Sequence, residues 1–270
     1  MDKIAIISDI HGNLKALEAT LDDIRDRGIK RIFCLGDIIA KGKHFDECIK
    51  LIRDNCEVVI RGNCDEYFTS DICLDNKSDI EVKRINWNKS RLSDDSISYL
   101  SGLPYCFEFY LSGRLVRLFH SHPNKINQFI GNIDTIDRLY ELFLPTSNTI
   151  SDNKADIVIY GHIHVPYVQK IYNRTIINVG SIGNSIDVYR DDDKDGDVRN
   201  TTVANYLVIS GDYNSREYNK LAYELVSIPY DIESELIDNE DNIELSSYSK
   251  ELKEGRYRDG ERIIKSILAK

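Results

Sequence analysis

The chain has 270 residues, of which 41% are apolar and 30% are charged, as is typical of a soluble globular protein. Its 45 acidic and 35 basic residues give a net charge of −10, and non-specific binding to nucleic acid needs the opposite, a basic face. No apolar segment approaches the length that spans a bilayer, and the first residues lack the pattern of an export signal. We therefore expect a cytoplasmic protein with reduced cysteines, with no membrane and no nucleic-acid duplex among its partners.

The first part of the chain alternates between buried strands and helices. Residues 4–7 form an apolar run typical of a buried strand, a stripe of apolar residues predicts a helix over 14–27, and residues 31–35 predict a second strand. Residues 45–54 and 56–60 continue the pattern as a helix and a third strand. This β-α-β-α-β order predicts a parallel sheet with right-handed crossovers, in which functional groups gather at the carboxyl ends of the strands.

Beyond these strands the pattern becomes mixed. The predicted elements are helices and loops over 66–103, hairpins over 107–120 and 167–179, a helix over 132–143, an exposed loop over 145–154, and strands over 155–160, 205–209 and 223–228. The charged run 190–199 predicts a solvated loop, and residues 231–270 predict two or three amphipathic helices. We expect one domain over 1–270, with the site-bearing core at 1–183 and C-terminal strands and helices at 184–270.

Five predicted strands end in polar motifs. In chain order the motifs are Asp9-x-His11, Gly36-Asp37, Gly62-Asn63-x-Asp65, His120 and Gly161-His162-x-His164. A carboxylate and an imidazole two residues apart at a strand tip can both reach one metal ion, and five of the six histidines lie in or just after these motifs. Taken singly, Asp9 or Asp37 could instead cap the helix that follows, and Asn63 could stabilise a tight turn.

The order and content of these motifs resemble the calcineurin-like metallophosphoesterase superfamily over residues 4–183. The resemblance implies an α/β fold of four layers, an α/β/β/α sandwich in which two mixed β-sheets pack face to face with helices outside. It also implies hydrolysis of a phosphoester with two divalent transition-metal ions. Carboxylate, amide and imidazole ligands suit manganese, iron or zinc better than magnesium or calcium, and we favour manganese and iron.

The resemblance also implies a role for each motif residue. One metal ion would be held by Asp9, His11 and His164, the other by Asn63, His120 and His162, and both by a bridging Asp37. Two ions about 3.5–4 Å apart would supply a bridging hydroxide that attacks phosphorus, and would neutralise charge on the phosphoryl oxygens. Asp65 is expected to assist catalysis by orienting a neighbouring group.

Two positions depart from the protein phosphatases of this superfamily. Those enzymes carry Gly-Asn-His-Glu, whose histidine is the general acid, whereas residues 62–65 here read Gly-Asn-Cys-Asp, as in small bacterial and archaeal phosphodiesterases. They also carry a phosphate-gripping arginine that residues 36–42 lack. Cys64 is a poor proton donor, so we take His122 as the first candidate for the general acid, with a structural role as the alternative. On a strand His122 would face away from His120, but the turn at Pro123 could redirect it.

Further residues are candidates for contacts with the substrate. The phosphate is expected to meet Arg61, Asn63 and His122, with Lys41, Lys43 and His44 as additional candidates. Side chains such as Arg61 and these three are more often simply solvated surface charges. The segments 66–103 and 145–154 could wall a nucleotide pocket, in which Tyr67, Trp87 or Tyr105 stacks a base, unless these rings belong to the core.

The expected substrate is therefore a small phosphorylated molecule, either a phosphodiester or a nucleotide. Three alternatives stay open: a hydrolase of dinucleoside polyphosphates such as diadenosine tetraphosphate, a protein phosphatase, and a non-catalytic scaffold of the same fold that has lost its metals. Metal content and turnover of different phosphoesters distinguish these functions.

Overall fold

Two five-stranded β-sheets face each other in the computed structural model of the protein, which describes residues 1–69, 79–185, 203–238 and 246–254. The strands are β1 (Asp2–Ile7), β2 (Arg31–Cys34), β3 (Val58–Val59), β4 (Cys106–Leu111), β5 (Arg114–Phe119), β6 (Ile157–Tyr160), β7 (Tyr167–Ile171), β8 (Arg174–Asn178), β9 (Ala204–Gly211) and β10 (Ala222–Ile228). The helices are α1 (Leu14–Asp26), α2 (Phe45–Asn55), α3 (Asn63–Thr69), α4 (Asp79–Lys89), α5 (Asp94–Ser101), α6 (Ile136–Glu141), α7 (Ile232–Asp238) and α8 (Ser246–Glu254).

The strand order is β10-β9-β1-β2-β3 in the first sheet and β4-β5-β6-β8-β7 in the second. Strands β1, β2 and β3 run parallel, as the sequence pattern predicts, and β9 is antiparallel to both β1 and β10. In the second sheet β5, β6 and β8 run parallel, and the hairpin strands β4 and β7 run antiparallel to their neighbours. Both sheets are therefore mixed, and each gathers the carboxyl ends of three parallel strands at one edge.

Strand β1 shows how the layers are joined. Because successive side chains of a strand point to opposite faces, Ile4 and Ile6 pack in the core between the two sheets. Ala5 and Ile7 pack in a second core, between the first sheet and its helices. All four side chains are fully buried, which explains why this strand reads as a continuous apolar run in the sequence.

Helices cover the outer face of each sheet. Helix α1 begins after Asn13, whose side chain accepts a hydrogen bond from the backbone N–H of Ala16, and it buries Leu17 and Ile24 against the first sheet. The segment around α6 buries Leu139 against the outer face of the second sheet. The expected four-layer α/β/β/α sandwich is therefore confirmed.

Some element boundaries differ from the predictions. The helix predicted over 132–143 is limited to α6, because Thr135 caps its first turn and the preceding residues form a turn in which Asp134 accepts the N–H of Gly131. The third strand is reduced to the two residues of β3.

The run 190–199 and residues 255–270 lie outside the described residues. The prediction of one domain over the whole chain stays a prediction. No helix in the described part of the chain has the length and apolar character needed to cross a membrane.

Candidate metal centre

Polar residues from both sheets meet at the carboxyl ends of the parallel strands. They are Asp9 and His11 after β1, Asp37 after β2, Asn63 at the start of α3, His120 after β5, and His162 and His164 after β6. Four of the seven are buried and three are half-buried. The ligand atoms of the six aspartates and histidines form overlapping groups within 4.8 Å. The structure therefore brings six of the predicted metal-ligating side chains into one cluster. The seventh, Asn63, adjoins the cluster, because its Oδ1 atom lies 3.0 Å from His120 Nε2.

Five of these residues have a left-handed backbone conformation, which is uncommon for any residue but glycine. The φ angle is +55° at Asp9 and at His11, +52° at Asp37, +67° at His162 and +62° at His164. Each such conformation costs of the order of 1–3 kcal/mol and persists only where the surroundings enforce it. Hydrogen bonds between the loops do so, since the N–H of His11 donates to the Asp37 carbonyl at 2.9 Å. The sharp turn after each strand aims its side chain into the cluster.

Asp9, His11 and His164 form the first group of candidate ligands. His164 Nε2 lies 3.1 Å from Asp9 Oδ1 and 3.1 Å from His11 Nε2. The Nδ1 atom of His11 faces the Ile39 carbonyl at 3.3 Å, and that of His164 faces the Asn184 carbonyl at 2.8 Å. Because a carbonyl only accepts, both Nδ1 atoms carry a hydrogen, which leaves the Nε2 atoms as the ones that would bind a cation. Three potential ligand atoms thus converge, an arrangement that a divalent cation would satisfy.

The second group contains His120, Asn63, His162 and Asp37. His120 Nε2 lies 3.0 Å from Asn63 Oδ1 and 3.4 Å from Asp37 Oδ1, and its Nδ1 donates to the Leu35 carbonyl at 2.9 Å. The ring of His162 stands edge-on to that of His120 with centroids 5.2 Å apart. This group also combines imidazole nitrogens with carboxylate and amide oxygens, so its donor set fits a transition-metal ion.

Asp37 faces both groups. Its Oδ1 atom lies 3.4 Å from His120 Nε2, and its Oδ2 atom lies 3.9 Å from His11 Nε2. The backbone N–H of Cys64 donates to Oδ1 at 2.8 Å and so fixes the orientation of the carboxylate. One oxygen of the Asp37 carboxylate therefore faces each group of candidate ligands.

Neighbouring histidines keep the two central carboxylates ionised. Burial disfavours the charged form of Asp9, but His164 and His120 outweigh it and hold the pKa of Asp9 below the usual aspartate range. Burial acts on Asp37 in the same way, and His120 again outweighs it, so the pKa of Asp37 is also low. The cluster carries negative charge that a cation can neutralise.

The pKa values of the histidines shift in opposite directions. Burial, together with Lys41, lowers the pKa of His11 to about 3, and burial together with His120 lowers the pKa of His162 to about 4. Burial would also lower the pKa of His120, but Asp37 outweighs it and raises that pKa to about 9. His11 and His162 are thus in the neutral form that binds metals, and a cation beside His120 would replace its proton.

Asp65 lies behind the cluster. Its carboxylate accepts hydrogen bonds from the backbone N–H groups of Asp37 at 2.8 Å, Ile38 at 2.9 Å and Gly62 at 2.9 Å. Burial and the nearby charge of Asp37 raise the pKa of Asp65 to about 6. These contacts tie the loop after β2 to the loop after β3, so Asp65 positions Asp37.

A cavity of about 260 Å³ opens beside His120. Its lining includes Glu66, Tyr105, His120, His122, Asn124 and Asn148. The chain bends directly after β5, so His120 and His122 line the same cavity, although regular strand alternation would separate them. His122 Nδ1 accepts the N–H of Asn124 at 3.0 Å, and Nε2 is buried without a hydrogen-bond partner among the described residues. Nε2 therefore carries the hydrogen, and burial lowers the pKa of His122, which favours the neutral ring.

Several predicted substrate contacts lie away from this cavity. Arg61 donates to the Tyr105 hydroxyl at 3.1 Å and to the Ser101 carbonyl, which turns its guanidinium to the surface around Tyr105. Trp87 packs edge-on against Phe45 with centroids 6.0 Å apart, in the core between the first sheet and its helices. Tyr67 packs against the same core. Of the three rings expected to stack a base, only Tyr105 is an exposed residue of the cavity lining among the described residues.

Two other candidates face the C-terminal helices. His44 Nε2 lies 3.2 Å from Asp238 in α7, and Lys41 Nζ lies 3.8 Å from Glu251 in α8. Both side chains are engaged by carboxylates there. They are not in the lining of the cavity beside His120.

The carbonyls of Leu35, Ile39 and Asn184 are functional groups that sequence reasoning missed. Each fixes which nitrogen of a candidate ligand carries the hydrogen. Every residue has a carbonyl, so the only available signal was that Leu35 and Ile39 lie within two residues of the Gly36-Asp37 motif. Asn184 gave no such signal.

The four-layer sandwich and the polar cluster at its strand ends are the features expected of a metallophosphoesterase. Residues 2–194 match the calcineurin-like phosphoesterase superfamily domain, and the chain belongs to that superfamily. An uncharacterized protein of Methanocaldococcus jannaschii is 32% identical over 242 residues, which are 85% of this chain and 88% of that protein.

Solved structures share the fold. A metallophosphoesterase of Sphaerobacter thermophilus superposes with a TM-score of 0.68 at 23% identity, and covers 94% of this chain and 99% of its own. A hypothetical protein of Pyrococcus horikoshii OT3 superposes with a TM-score of 0.71 at 17% identity and the same coverage of 94% and 99%. Family membership indicates a metal-dependent phosphoester hydrolase, and the described residues include side-chain groups that could hold a metal ion.

Proposed function

We propose that this protein is a metal-dependent phosphoesterase that hydrolyses a phosphodiester or a nucleotide. The observation that carries the proposal is the convergence of lone-pair atoms around Asp37, with imidazole, carboxylate and amide atoms 3.0–3.9 Å apart. Buried polar atoms without compensation are costly, and divalent cations would offset that cost. The Gly-Asn-Cys-Asp sequence at 62–65 supports a place among the small bacterial and archaeal phosphodiesterases.

Each of the two groups of candidate ligands would hold one metal ion. One ion would be held by Asp9, His11 and His164, the other by Asn63, His120 and His162, and both by Asp37. Manganese, iron or zinc suits this mixture of nitrogen and oxygen atoms. When bound, such ions lower the pKa of water and neutralise charge on phosphoryl oxygens. The chain itself contributes rigidity, because backbone carbonyls hold three of the imidazole rings from behind.

The cavity beside His120 favours a substrate whose phosphate carries a small, uncharged organic group. At about 260 Å³ it lies just below the roughly 300–1,000 Å³ typical of pockets for drug-sized ligands. Among the described residues that line it, Glu66 carries a charge and none is a lysine or arginine. A carboxylate repels a further phosphate, whereas amides and a phenol can hydrogen-bond sugar hydroxyls or a base. These features favour a nucleoside group over a polyphosphate chain or a phosphoprotein.

His122 is proposed to donate a hydrogen bond from Nε2–H to the leaving-group oxygen. The neutral ring that burial favours is a hydrogen-bond donor, and only its protonated minority is a strong acid. Asn124 fixes the tautomer by donating to Nδ1. The role proposed for His122 thus combines the substrate contact and the assistance to the leaving group that the sequence suggested.

The substrate class can be tested with a panel of esters on the manganese-loaded protein. It includes bis(p-nitrophenyl) phosphate, p-nitrophenyl phosphate, thymidine 5′-(p-nitrophenyl phosphate), diadenosine tetraphosphate and a phosphopeptide. The nucleoside ester is expected to give the highest kcat/KM. Preference for diadenosine tetraphosphate or for the phosphopeptide would support the corresponding alternative function. A protein that binds fewer than one transition-metal ion per chain and hydrolyses nothing would be a scaffold.

The substitution Asp37→Asn tests the bridging role. An amide keeps the shape and still accepts the Cys64 N–H, so the fold should survive. It lacks the charge, so we expect turnover to fall by more than the roughly 10–100-fold typical of residues that only support a ligand. Asp22→Asn, on the exposed face of α1, is the matched control and should leave kcat unchanged. Retention of most activity by a folded Asp37→Asn protein contradicts the assignment.

A further inference from the structure

Helix α8 lies outside the residues that match the superfamily domain, yet it contacts the turn behind two of the candidate metal ligands. The match ends at residue 194, and α8 spans Ser246–Glu254. Tyr248, Glu251 and Leu252 are buried, with 2%, 2% and 1% of their surface exposed. Leu252 anchors the helix in a small apolar cluster with Leu236 of α7. Tyr248 and Glu251 are three residues apart and therefore lie on one face of the helix.

That face meets the turn at residues 183–184. The Tyr248 hydroxyl donates to the Gly183 carbonyl at 2.5 Å and accepts from Asn13 Nδ2 at 2.9 Å. Glu251 Oε2 accepts from Asn184 Nδ2 at 3.4 Å. A buried tyrosine and a buried glutamate of one helix thus hold two consecutive residues of the turn.

The same turn holds two of the candidate metal ligands. The Asn184 carbonyl accepts the hydrogen on Nδ1 of His164 at 2.8 Å, and the Gly183 N–H donates to the Asp9 carbonyl at 2.9 Å. Glu251, Asn184 and His164 therefore form a continuous chain of contacts that ends at Nε2 of the imidazole. Groups that orient a ligating histidine from behind fix the direction of its lone pair.

Glu251 also touches the loop that follows β2. Its Oε2 atom lies 3.8 Å from Lys41 Nζ, and Lys41 has a left-handed backbone conformation with φ of +72°. This loop carries Asp37 four residues earlier. One carboxylate of α8 therefore contacts both the turn behind His164 and the loop of Asp37.

We propose that Glu251, supported by Tyr248, is a positioning residue of the metal centre. It fixes Asn184 and through it the ring of His164, so that α8 sets the affinity of the ion held by Asp9, His11 and His164. The inference rests on the proposed function in taking those three residues as ligands. It adds that helix α8, beyond the residues that match the superfamily domain, is part of the metal site.

The test is a calorimetric titration of the metal-free, full-length protein with manganese. Glu251→Ala is expected to weaken one of the two sites by about 10-fold, the lower end of the range for groups that support a ligand, because it acts one contact further out. Glu251→Gln keeps an oxygen that can accept from Asn184 and should restore most of the affinity. Lys253→Ala, at an exposed position of the same helix, is the control and should bind like the wild type.

A purely structural role predicts a different result. Glu251→Ala would then lower the melting temperature and leave both manganese affinities unchanged in the folded protein, which overturns the inference while the proposed function stands. If Glu251→Ala does not fold, Tyr248→Phe replaces it, because that change removes only the hydroxyl. A weaker site in Tyr248→Phe supports the inference, and unchanged affinity overturns it. A wild-type protein that binds no manganese contradicts the proposed function and the inference together.

Discussion

Among single residues, His122 is the one whose contribution to catalysis should depend on the leaving group of the substrate. Its Nδ1 atom accepts the Asn124 N–H, and its buried Nε2–H has no partner among the described residues. A donor at this point stabilises negative charge that develops on a leaving oxygen. That stabilisation matters for an alkoxide and matters little for p-nitrophenolate, which leaves without help.

The substitution His122→Asn should therefore act selectively. We expect kcat to fall by about 100-fold on a nucleoside ester with an alkyl leaving group, the lower end of the effect of one such donor. On the matching p-nitrophenyl ester the loss should stay below about 10-fold. Steady-state kinetics on the two substrates measures the ratio directly, and each substrate serves as the control for the other. Equal losses on both would assign His122 a structural role.

The side chains of the cluster could be picked out from the sequence, but the groups that hold them could not. Asp9, Asp37 and His162 each follow a recognisable strand, and that position reveals where their side chains gather. The carbonyl of Asn184 has no comparable signal, because only the folded chain shows which carbonyl faces an imidazole ring. The left-handed turns could not be predicted either, because aspartate and histidine adopt a positive φ more often than most residues but still only in a minority of cases.

Among the elements, the loops after β1 and β6 cross so closely that only glycine fits between them. A Cβ atom on Gly161 would lie 2.1 Å from Ser8 Oγ and 2.4 Å from Asp9 Oδ2. These contacts are far inside van der Waals distance, and Asp9 is fully buried and has no space to retreat. Gly161 therefore determines the position of the Asp9 carboxylate.

Gly161→Ala should displace the Asp9 carboxylate and weaken manganese binding by at least 10-fold, with a loss of stability of about 1–3 kcal/mol for overpacking. Gly102→Ala is the matched control, because its φ is −83° and an added Cβ would meet nothing nearer than 3.5 Å. That control should keep its affinity and its stability within about 1 kcal/mol. Calorimetry and urea unfolding measure both quantities. A Gly161→Ala protein that binds manganese as tightly as the wild type would contradict the claim that Gly161 fixes the Asp9 carboxylate.

Element types were easier to predict than element ends. The helical spacing of apolar residues continues through 132–143, but hydrogen bonds decide where the helix starts, and the side chain of Thr135 takes that position in α6. Strand β3 is short because only Val58 and Val59 pair with β2. Such choices depend on neighbours in space, which periodicity does not encode.

Across the whole molecule, the sequence pattern alone indicated only an α/β protein, and the four layers came from the family resemblance. The reason is the separation of the paired segments. Ile4 lies opposite Ile209 in the pairing of β1 with β9, more than two hundred residues apart in the chain. A strand shows that it is buried on both faces without showing what covers it.

The second sheet and its outer layer are joined by a fully buried arginine. Arg117 of β5 donates from Nε to Glu108 Oε1 at 2.6 Å and from Nη1 to the carbonyls of Phe143 and Leu144 at 3.0 Å and 2.9 Å. Its Nη2 donates to the Asn153 carbonyl at 2.7 Å. One guanidinium thus donates hydrogen bonds to carbonyls at both ends of the loop over 145–154 and holds them against the sheet. That loop contributes Asn148 to the cavity lining.

Arg117→Ala should destabilise the protein by about 3–5 kcal/mol, because it leaves the buried Glu108 carboxylate without its cation and several carbonyls without donors. Arg216→Ala, at an exposed arginine stacked on Tyr110, is the matched control and should cost at most about 1 kcal/mol. Urea unfolding gives both values. Because the loop borders the cavity but contributes no candidate ligand, Arg117→Ala should also raise KM while manganese affinity stays unchanged. A loss of metal affinity as large as the loss of substrate affinity would show that the two regions are not separable.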